Sequence, residues 1–177
     1  MKQLPRWYES PISKTHDRDQ FDCGDFELNK FLKLYARKSH AHGGAKTFVA
    51  LSYEDHQSIM GFYSLNVASI DYYRVPEIIT RSLGRYEVPV FRLARLAVDK
   101  DFQKKGLGRR LLLAAGRRCL YASYEVGGVA LLIDAKNHDI ATWYISYGAM
   151  PLLDTPLSLV LPLKTIGDAL QAAESTP

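Results

Sequence analysis

The chain has little that would place it outside the cell or in a membrane. Its 177 residues include only two cysteines, Cys23 and Cys119, too few for the disulfide framework of a small secreted domain. Residues 1–7 contain no apolar segment of the kind that directs secretion. Apolar runs such as residues 129–133 are far shorter than the roughly 20 residues that span a membrane. These absences predict a cytoplasmic protein in which both thiols are reduced and buried.

The chain also lacks internal divisions and the common nucleotide-binding motifs. It has no repeat, low-complexity segment or linker, and its length suits one domain with a substantial core. Hydrophobic residues make up 47% and charged residues 24%, which is typical of a globular protein. Neither the P-loop pattern nor the dinucleotide-binding Gly-x-Gly-x-x-Gly pattern occurs. We therefore expect a single domain over residues 1–177.

Positive charge is modest in total but concentrated in two places. The formal net charge is +4, yet residues 74–95 carry five arginines against only Glu77 and Glu87. The arginines are Arg74, Arg81, Arg85, Arg92 and Arg95. A predicted first helix adds Lys30, Lys33 and Arg37 on one face. Two interpretations stay open: a solvated surface that accompanies coenzyme phosphates, and a footprint for a nucleic-acid backbone.

Hydrophobic periodicity predicts alternating helices and strands. Helices are expected at residues 25–38, 76–83, 108–124 and 137–147, and strands at residues 47–53, 59–69, 90–98, 129–134 and 158–163. Asn137 is the expected N-cap of its helix, and Pro162 suggests that the last strand is an edge or contains a bulge. Strand–helix–strand crossovers around residues 90–134 predict parallel strands there. The order predicts an α/β fold with a mixed central sheet and helices on both faces.

The strongest functional signal lies just after Val98, where a predicted strand leads through a polar loop into an apolar helix. The first N–H groups of a helix have no intrahelical partner, and the helix dipole is positive there, so phosphate can bind. Gly106 and Gly108 lack Cβ atoms and would let a pyrophosphate approach the backbone, although two glycines can also form only a tight turn. Four basic residues add positive charge: Lys104, Lys105, Arg109 and Arg110.

The spacing Gln103-x-x-Gly106-x-Gly108 resembles the acyl-CoA loop of the GNAT acetyltransferases, and the predicted elements fit that fold across nearly the whole chain. The resemblance implies acetyl-CoA as co-substrate and no metal. The strand before the loop would then offer backbone groups to the pantetheine arm, and the loop amides would hold the pyrophosphate. The implied coenzyme-binding residues are Leu96, Ala97, Val98, Gln103, Lys104, Lys105, Gly106, Leu107, Gly108, Arg109 and Asn137.

A second segment, residues 137–148, resembles the family's helix after the fifth strand. Trp143, Tyr144 and Gly148 match its aromatic-Tyr-x-x-x-Gly pattern, whereas Ala149 stands where another aromatic residue is usual. The resemblance implies that Tyr144 protonates the departing CoA thiolate, which is reasonable for a thiolate of pKa about 8.5. Taken without the family, the same residues could be an aromatic stripe in the core.

Three further segments resemble the GNAT toxins of bacterial toxin–antitoxin pairs. Residues 21–32 follow a Phe-x-Cys-Gly-x-x-x-Leu-x-x-Phe-Leu pattern, residues 91–99 contain Arg-Leu-Ala-Val-Asp, and residues 161–166 resemble the family's tail. The resemblance implies that the acceptor is the α-amine of an aminoacyl-tRNA, so that acetylation stops translation. It also implies a ribbon-helix-helix antitoxin, and a homodimer is a further expectation. The arginines of residues 74–95 would contact acceptor-stem phosphates.

The sequence offers no convincing general base, since Glu77 and Glu87 are candidates by charge alone. An α-amine with a pKa of about 7.7–8.0 needs less help than a lysine side chain near 10.4, which favours an aminoacyl ester as acceptor. Two alternatives stay open. One is a GNAT enzyme for a small amine or a protein terminus, for which the basic patch would be dispensable. The other is a non-catalytic CoA-binding regulatory subunit, in which Tyr144 is only core.

Overall fold

Seven strands and six α-helices make up most of the regular structure in residues 3–176, the part of the chain that the computed structural model describes. The strands are β1 (Trp7–Pro11), β2 (Lys46–Ser52), β3 (Ile59–Ile70), β4 (Val88–Val98), β5 (Ala130–Asp134), β6 (Met150–Pro151) and β7 (Ser158–Pro162). The α-helices are α1 (Phe26–Lys30), α2 (Ala36–His42), α3 (Glu77–Thr80), α4 (Leu107–Val126), α5 (His138–Ile145) and α6 (Leu163–Glu174). A π-helical turn, Phe31–Tyr35, joins α1 to α2, and Lys100–Phe102 form a 3₁₀ turn.

The strands form one mixed sheet in the order β1-β2-β3-β4-β5-β7-β6. β2 pairs antiparallel with β1 and β3, β4 and β5 are parallel, and β7 is antiparallel to both β5 and β6. The predicted α/β class with a mixed sheet is confirmed. The parallel pair β4–β5, which is connected through α4, confirms the predicted crossover over residues 90–134.

Contacts divide the chain into two units, each with an apolar core of its own. The first consists of the chain up to Asn66 together with Ala94–Ala114. The second consists of Val67–Leu93 and the chain from Ala115 onward. Strands β3 and β4 and helix α4 each contribute residues to both units.

The framework of the first unit is the antiparallel set β1, β2 and β3. One face of these strands packs on the N-terminal helical region, and the core there includes Phe21, Phe31, Leu32, Val49, Leu51, Phe62 and Ala97. On β3, Gly61 admits the start of α4, because a Cβ there would lie 2.8 Å from Leu111 Cδ1 and 2.9 Å from the Ala97 carbonyl oxygen. This close approach fixes where α4 begins, and therefore where the preceding loop lies.

The second unit is built on β5, which pairs parallel with β4 and antiparallel with β7. Two glycines permit close packing within it. A Cβ on Gly128 would lie 2.5 Å from Phe91 Cε2, and one on Gly116 would lie 2.5 Å from Ile166 Cδ1. The second contact places the Ile166 side chain of α6 directly against the backbone of α4, because Gly116 has no side chain at that point.

Several elements differ from the prediction. The structure adds β1, β6 and α6, which were not predicted. The strand β7 is neither an edge strand nor bulged where it pairs with β5, so the interpretation of Pro162 is wrong. Pro162 ends β7, which lies between β5 and β6, and it precedes the first residue of α6. A proline is tolerated at this junction because its missing N–H is not needed by the first turn of a helix.

The first helix extends beyond the predicted residues 25–38 and is not uniform. Asp25 caps it, and α1 and α2 are separated by the π-helical turn, in which the Ala36 N–H donates to the Phe31 carbonyl. The Lys33 carbonyl accepts a 2.7 Å hydrogen bond from the Arg18 guanidinium. Such π-helical turns often occur at functional sites. Within residues 3–176 no helix has the length and apolar character needed to cross a membrane.

Candidate active site

The predicted phosphate loop leaves β4 through a tight, well-bonded turn. Asp99 caps the 3₁₀ turn, with its carboxylate accepting from the Asp101 N–H at 3.0 Å and its carbonyl accepting from the Phe102 N–H at 2.9 Å. Gln103 is extended, with φ −64° and ψ 156°. Lys104 then adopts a left-handed conformation with φ +59°, which is uncommon for a residue other than glycine. The turn thus brings the chain sharply to the start of α4.

The residues that follow form an open cradle for an anion. Gly106 also has a left-handed φ of +83°, and nothing lies within 4 Å of the position that its Cβ would occupy. The N–H groups from Gly106 to Arg109 belong to the cap and first turn of α4, where no intrahelical carbonyl is available. Left-handed residues next to right-handed ones turn successive N–H groups toward a common point. This geometry fits a phosphate group.

The charged side chains of the loop differ in their availability. Lys104, Arg109 and Arg110 are exposed, whereas the Lys105 ammonium donates a 2.6 Å hydrogen bond to the Asp101 carbonyl. The side chain of Gln103 is also used within the protein, since Nε2 donates to the carbonyls of Cys23 and Val98, each at 2.9 Å. The backbone of Gln103 is therefore the part of this residue that a coenzyme can contact.

The predicted pantetheine segment of β4 lies after Phe91 and Arg92, the residues of β4 that pair with β5. The Ala97 side chain is buried in the core of the first unit, and Leu96 and Val98 are half-buried. Directly after the strand, the Asp99 N–H donates to the Met60 carbonyl at 3.0 Å. The strand end is thus firmly attached to β3.

Sequence reasoning missed the contact that joins two of the toxin-like segments. Cys23 and Gly24 form a tight turn directly before α1, in which the Gly24 N–H donates to Asp22 Oδ1 at 2.9 Å. The structure places this turn against the end of β4, where the Asp22 N–H donates to Asp99 Oδ2 and the Lys100 N–H donates to the Asp22 carbonyl, both at 2.9 Å. The signal was the occurrence of Asp22 in one matching segment and Asp99 at the end of the other, with Lys100 directly after it.

Tyr144 lies on α5, in the second unit. Asn137 caps this helix as predicted, with Oδ1 accepting from the Ile140 N–H at 2.9 Å. Its carbonyl accepts from the Ala141 N–H at 3.0 Å, so the Nδ2 donors are the part of Asn137 that a ligand can contact. The Tyr144 side chain is only 7% exposed, and burial raises the pKa of its phenol above the ordinary value. The phenol therefore holds its proton at neutral pH. Trp143 packs edge-on against it, with ring centroids 4.9 Å apart.

Gly148 ends the Tyr144 helix for two physical reasons. Its φ of +100° is left-handed, and a Cβ would lie 2.9 Å from Thr165 Cγ2 on α6. Its N–H donates to the Ile145 carbonyl at 2.9 Å. The aromatic-Tyr-x-x-x-Gly spacing therefore fixes both the end of α5 and its packing.

The five arginines predicted to contact RNA lie in different environments. Arg74 forms an ion pair with Asp154, and Arg92 forms one with Asp134, each at 2.8 Å. Arg81 and Arg85 are exposed. Arg95 alone is packed against an aromatic ring, with its guanidinium carbon 3.6 Å from the centroid of Phe31, and burial lowers its pKa from the ordinary value.

Arg95 also faces a small cavity beside the π-helical turn. The cavity has a volume of about 200 Å³ and is lined by Glu27, Leu28, Lys30, Phe31, Tyr35 and Arg95. Tyr35 is 52% exposed at its rim. A guanidinium stacked on one ring and an exposed second ring can hold a flat, polar group.

The remaining candidates for chemistry have surface or buried structural positions. Glu77 is exposed, and Glu87 accepts a 3.1 Å hydrogen bond from Ser69 on the surface, so neither has the surroundings of a general base. Burial raises the pKa of the Cys119 thiol to about 12 and also raises that of Cys23. Neither cysteine forms a disulfide, and both thiols are protonated at neutral pH. Cys119 is buried as predicted, but Cys23 is only half-buried, because it lies in the surface turn before α1. Residues 3–176 contain no cluster of His, Cys, Asp and Glu suited to a metal ion.

The open left-handed turn at Lys104 and Gly106 lies between β4 and the start of α4, at the position of the predicted acyl-CoA loop. A family model described as "Acetyltransferase (GNAT) domain" matches residues 44–148, well over half of the chain. The chain belongs to the GNAT family of acetyltransferases.

Comparison with individual proteins gives a narrower likeness. The "tRNA-acetylating toxin" of Mycobacterium tuberculosis (strain ATCC 25618 / H37Rv) is 32% identical over 159 residues, covering 89% of this chain and 93% of that protein. The solved structure of AtaT complexed with acetyl-methionyl-tRNAfMet matches with a TM-score of 0.86 at 24% identity, covering 93% of this chain and 99% of that one. A tyrosine-to-phenylalanine variant of AtaT bound to the C-terminus of the antitoxin AtaR matches with a TM-score of 0.79 at 24% identity, covering 92% of this chain and 97% of that one.

Proposed function

We propose that this chain is an acetyl-CoA-dependent N-acetyltransferase that acetylates the α-amine of aminoacyl-tRNA and so acts as a toxin that blocks translation. The observation that carries the proposal is the open, left-handed cradle at Lys104 and Gly106, in a chain that is 32% identical to a tRNA-acetylating toxin over 89% of its length. Acetyl-CoA, when bound, supplies an activated acetyl thioester. The proposal treats the whole chain as one GNAT domain, to which both units contribute.

The coenzyme-binding role falls mainly on backbone groups. The N–H groups of Gln103, Lys104, Lys105, Gly106, Leu107, Gly108 and Arg109 would hold the pyrophosphate. The backbone of Leu96, Ala97 and Val98 would hold the amides of the pantetheine arm, and Asn137 would offer Nδ2. The exposed Lys104 and Arg109 would add positive charge close to the phosphates. Hydrogen bonds between ionised groups are stronger than those between neutral groups.

Tyr144 would serve as the proton donor. Acetyl transfer forms a bond between the acceptor nitrogen and the acetyl carbon and breaks the carbon–sulfur bond, so the amine loses a proton and the sulfur gains one. Burial keeps the Tyr144 phenol protonated, and a positioned phenol can deliver that proton as the thiolate departs. No strong base is required, because an α-amine with a pKa of about 7.7–8.0 is partly neutral at pH 7.

The acceptor RNA would contact two kinds of arginine. Arg81 and Arg85 are exposed and suited to phosphate contacts, while Arg74 and Arg92 would need to share their charge with Asp154 and Asp134. Arg95 differs, because its stacking on Phe31 beside a cavity suits the unpaired end of the acceptor rather than its duplex stem. Arg81 and Arg85 would then contribute mainly to affinity for the RNA, and Arg95 would position its terminus.

The remaining proposals concern where the protein acts and with what partners. Aminoacyl-tRNA as acceptor implies the cytoplasm as its location. An antitoxin of the ribbon-helix-helix type would hold the toxin inactive, and the catalytic form would be a homodimer. The AtaT structure with an antitoxin segment supports a partner of this general class on the same fold.

Transfer of radiolabel from acetyl-CoA to charged and uncharged tRNA tests the proposal. We expect label only in charged tRNA, and arrest of growth and translation when the chain is expressed without an antitoxin. Arg81→Gln with Arg85→Gln should weaken tRNA binding and flatten its salt dependence while leaving acetyl-CoA binding unchanged. Harmless expression together with label in a small amine but in no charged tRNA would replace the toxin with a small-amine acetyltransferase.

A further inference from the structure

We infer that residues 21–25, here called the strap, position the phosphate loop for the coenzyme, with Asp22 and Lys100 as the pair that holds the two segments together. Asp22 is thus a positioning residue for acetyl-CoA, which it does not contact itself. The inference rests on the proposed function, because it assigns a role toward the coenzyme of that same site. It concerns interactions within the first unit only.

The carboxylate of Asp22 receives three donors from three different places. Oδ2 accepts from the Lys100 ammonium at 2.7 Å, and Oδ1 accepts from the Gly24 N–H and from Asn29 Nδ2, both at 2.9 Å. These bonds lower the pKa of Asp22 to about 2, with the Lys100 hydrogen bond as the largest cause. Asp22 therefore carries its charge at any physiological pH.

The strap reaches the loop through the backbone as well. The Asp22 N–H donates to Asp99 Oδ2, and the Asp22 carbonyl accepts from the Lys100 N–H, both at 2.9 Å. The Cys23 carbonyl accepts from Gln103 Nε2 at 2.9 Å. The same Nε2 also donates to the Val98 carbonyl at 2.9 Å. Gln103 is therefore tied to the strap and to the end of β4 at once.

The attachment of Gln103 matters because this residue directly precedes the left-handed part of the phosphate loop. The next residue, Lys104, is left-handed at φ +59°, a conformation that persists only where the surroundings hold it. The N–H groups of Gln103 and Lys104 are the first of those proposed to bind phosphate. A loop released from the strap would relax at Lys104, and the coenzyme would then have to reorder it on binding.

The strap is closed at its other end by α1. The Cys23 N–H donates to Asn29 Oδ1 at 2.9 Å, and the Cys23 thiol lies 3.1 Å from the same oxygen. Gly24 has φ +87°, and a Cβ on it would lie 3.3 Å from Lys100 Cε. Cys23, Gly24 and Asn29 thus form one hydrogen-bonded turn, which places the Asp22 carboxylate against the Lys100 ammonium.

Because the Asp22–Lys100 ion pair is exposed, its effect on coenzyme binding can be distinguished from its effect on the stability of the fold. Asp22 and Lys100 have side chains that are 50% and 60% exposed, and ion pairs so exposed contribute little to the free energy of unfolding. Loss of the pair should therefore appear in coenzyme affinity and loop order much more than in thermal stability.

The test compares Asp22→Asn and Lys100→Met with the wild-type chain and with Asp168→Asn. The control removes a comparable exposed ion pair, Lys164–Asp168 at 3.0 Å, on α6. Calorimetry with acetyl-CoA should give about tenfold weaker binding for both strap variants and unchanged binding for the control. Hydrogen exchange of the free proteins should show faster exchange of amides 103–109 in the strap variants only. KM for acetyl-CoA should rise, with kcat at saturating coenzyme unchanged.

Two further variants test whether the ion pair between positions 22 and 100 is itself responsible for the effect. Lys100→Arg should retain wild-type affinity, and the exchange of charges in Asp22→Lys with Lys100→Asp should recover part of it. Wild-type affinity and loop exchange in both Asp22→Asn and Lys100→Met would overturn the inference, and so would a loss of affinity that only follows a fall in Tm. Failure of the wild-type chain itself to bind acetyl-CoA would instead contradict the proposed function.

Discussion

Gly106 and Gly148 share a left-handed backbone, with φ of +83° and +100°, but differ in what surrounds them. The Cβ position of Gly106 faces empty space, whereas that of Gly148 lies 2.9 Å from Thr165 on the packed helix α6. An open glycine at the start of a helix leaves room for a ligand beside the first N–H groups of that helix. A closed glycine indicates a constraint of packing, so the two halves of the family pattern have different physical origins.

The largest effect is expected at the residue that the closed glycine holds in place. Tyr144→Phe removes one hydroxyl from a buried ring and keeps its packing against Trp143. Acetyl transfer should slow by about 10²–10⁴-fold, with acetyl-CoA affinity and Tm close to wild type. Single-turnover kinetics with charged tRNA measures the effect. Normal turnover by the folded variant would make Tyr144 a core residue and leave the proton donor to another group.

A substitution at the open glycine should affect binding without loss of packing. Gly106→Asp places a negative charge where phosphate is expected, and we predict roughly 10- to 100-fold weaker acetyl-CoA binding, the range of one to two lost charge-assisted hydrogen bonds. Calorimetry provides the measurement. Gly106→Asn, which adopts left-handed backbone more readily than most residues, is the matched control and should bind more tightly than Gly106→Asp. Equal affinity of both variants would mean that charge at this position is irrelevant.

The closed glycine should respond in the opposite way. Gly148→Ala combines a strained φ with a contact on Thr165, so we expect a loss of about 1–3 kcal/mol in the free energy of unfolding. Urea unfolding measures it, and the double variant with Thr165→Ser, which removes the contacting methyl group, should recover part of the loss. Retained stability in Gly148→Ala would remove the distinction between the two glycines.

The smallest effect concerns the pH dependence of the strap. The pKa of Asp22 falls from 3.8 to about 2 on folding, so its stabilising contribution is complete above about pH 5 and is lost as the pH falls toward 2. The difference in Tm between wild type and Asp22→Asn should therefore be constant near neutral pH and shrink in acid. A gap that persists unchanged down to pH 2 would show that ionisation of Asp22 does not stabilise the fold.

The sequence was most informative where local chemistry decides structure. Alternation and glycine placement located β4, the loop and α4 to within two residues, and the side chain of Asn137 identified it as a cap. β1 escaped prediction because its five residues are mostly half-buried and show no alternation, and it exists only through pairing with β2. α6 escaped because Leu163 and Ile166, its buried residues, follow a proline that was interpreted as part of a strand.

The contact between the strap and the end of β4 was not predicted, for a different reason. Asp22 meets Asp99 and Lys100 across 77 and 78 positions of sequence, and no periodicity connects residues so far apart. Resemblance marked both segments as belonging to the toxins, but only coordinates show that they touch. The role of Gln103 was similarly out of reach, since its side chain binds carbonyls of two separate segments rather than a ligand.

The π-helical turn at Phe31–Tyr35 limits how this region can change in length. A hydrogen bond that spans five residues accommodates one residue more than a regular helical turn would. Deleting one residue there would restore an ordinary helix and rotate everything before it by about 100° relative to α2. Glu27, Leu28 and Lys30 would then leave the wall that they share with Arg95.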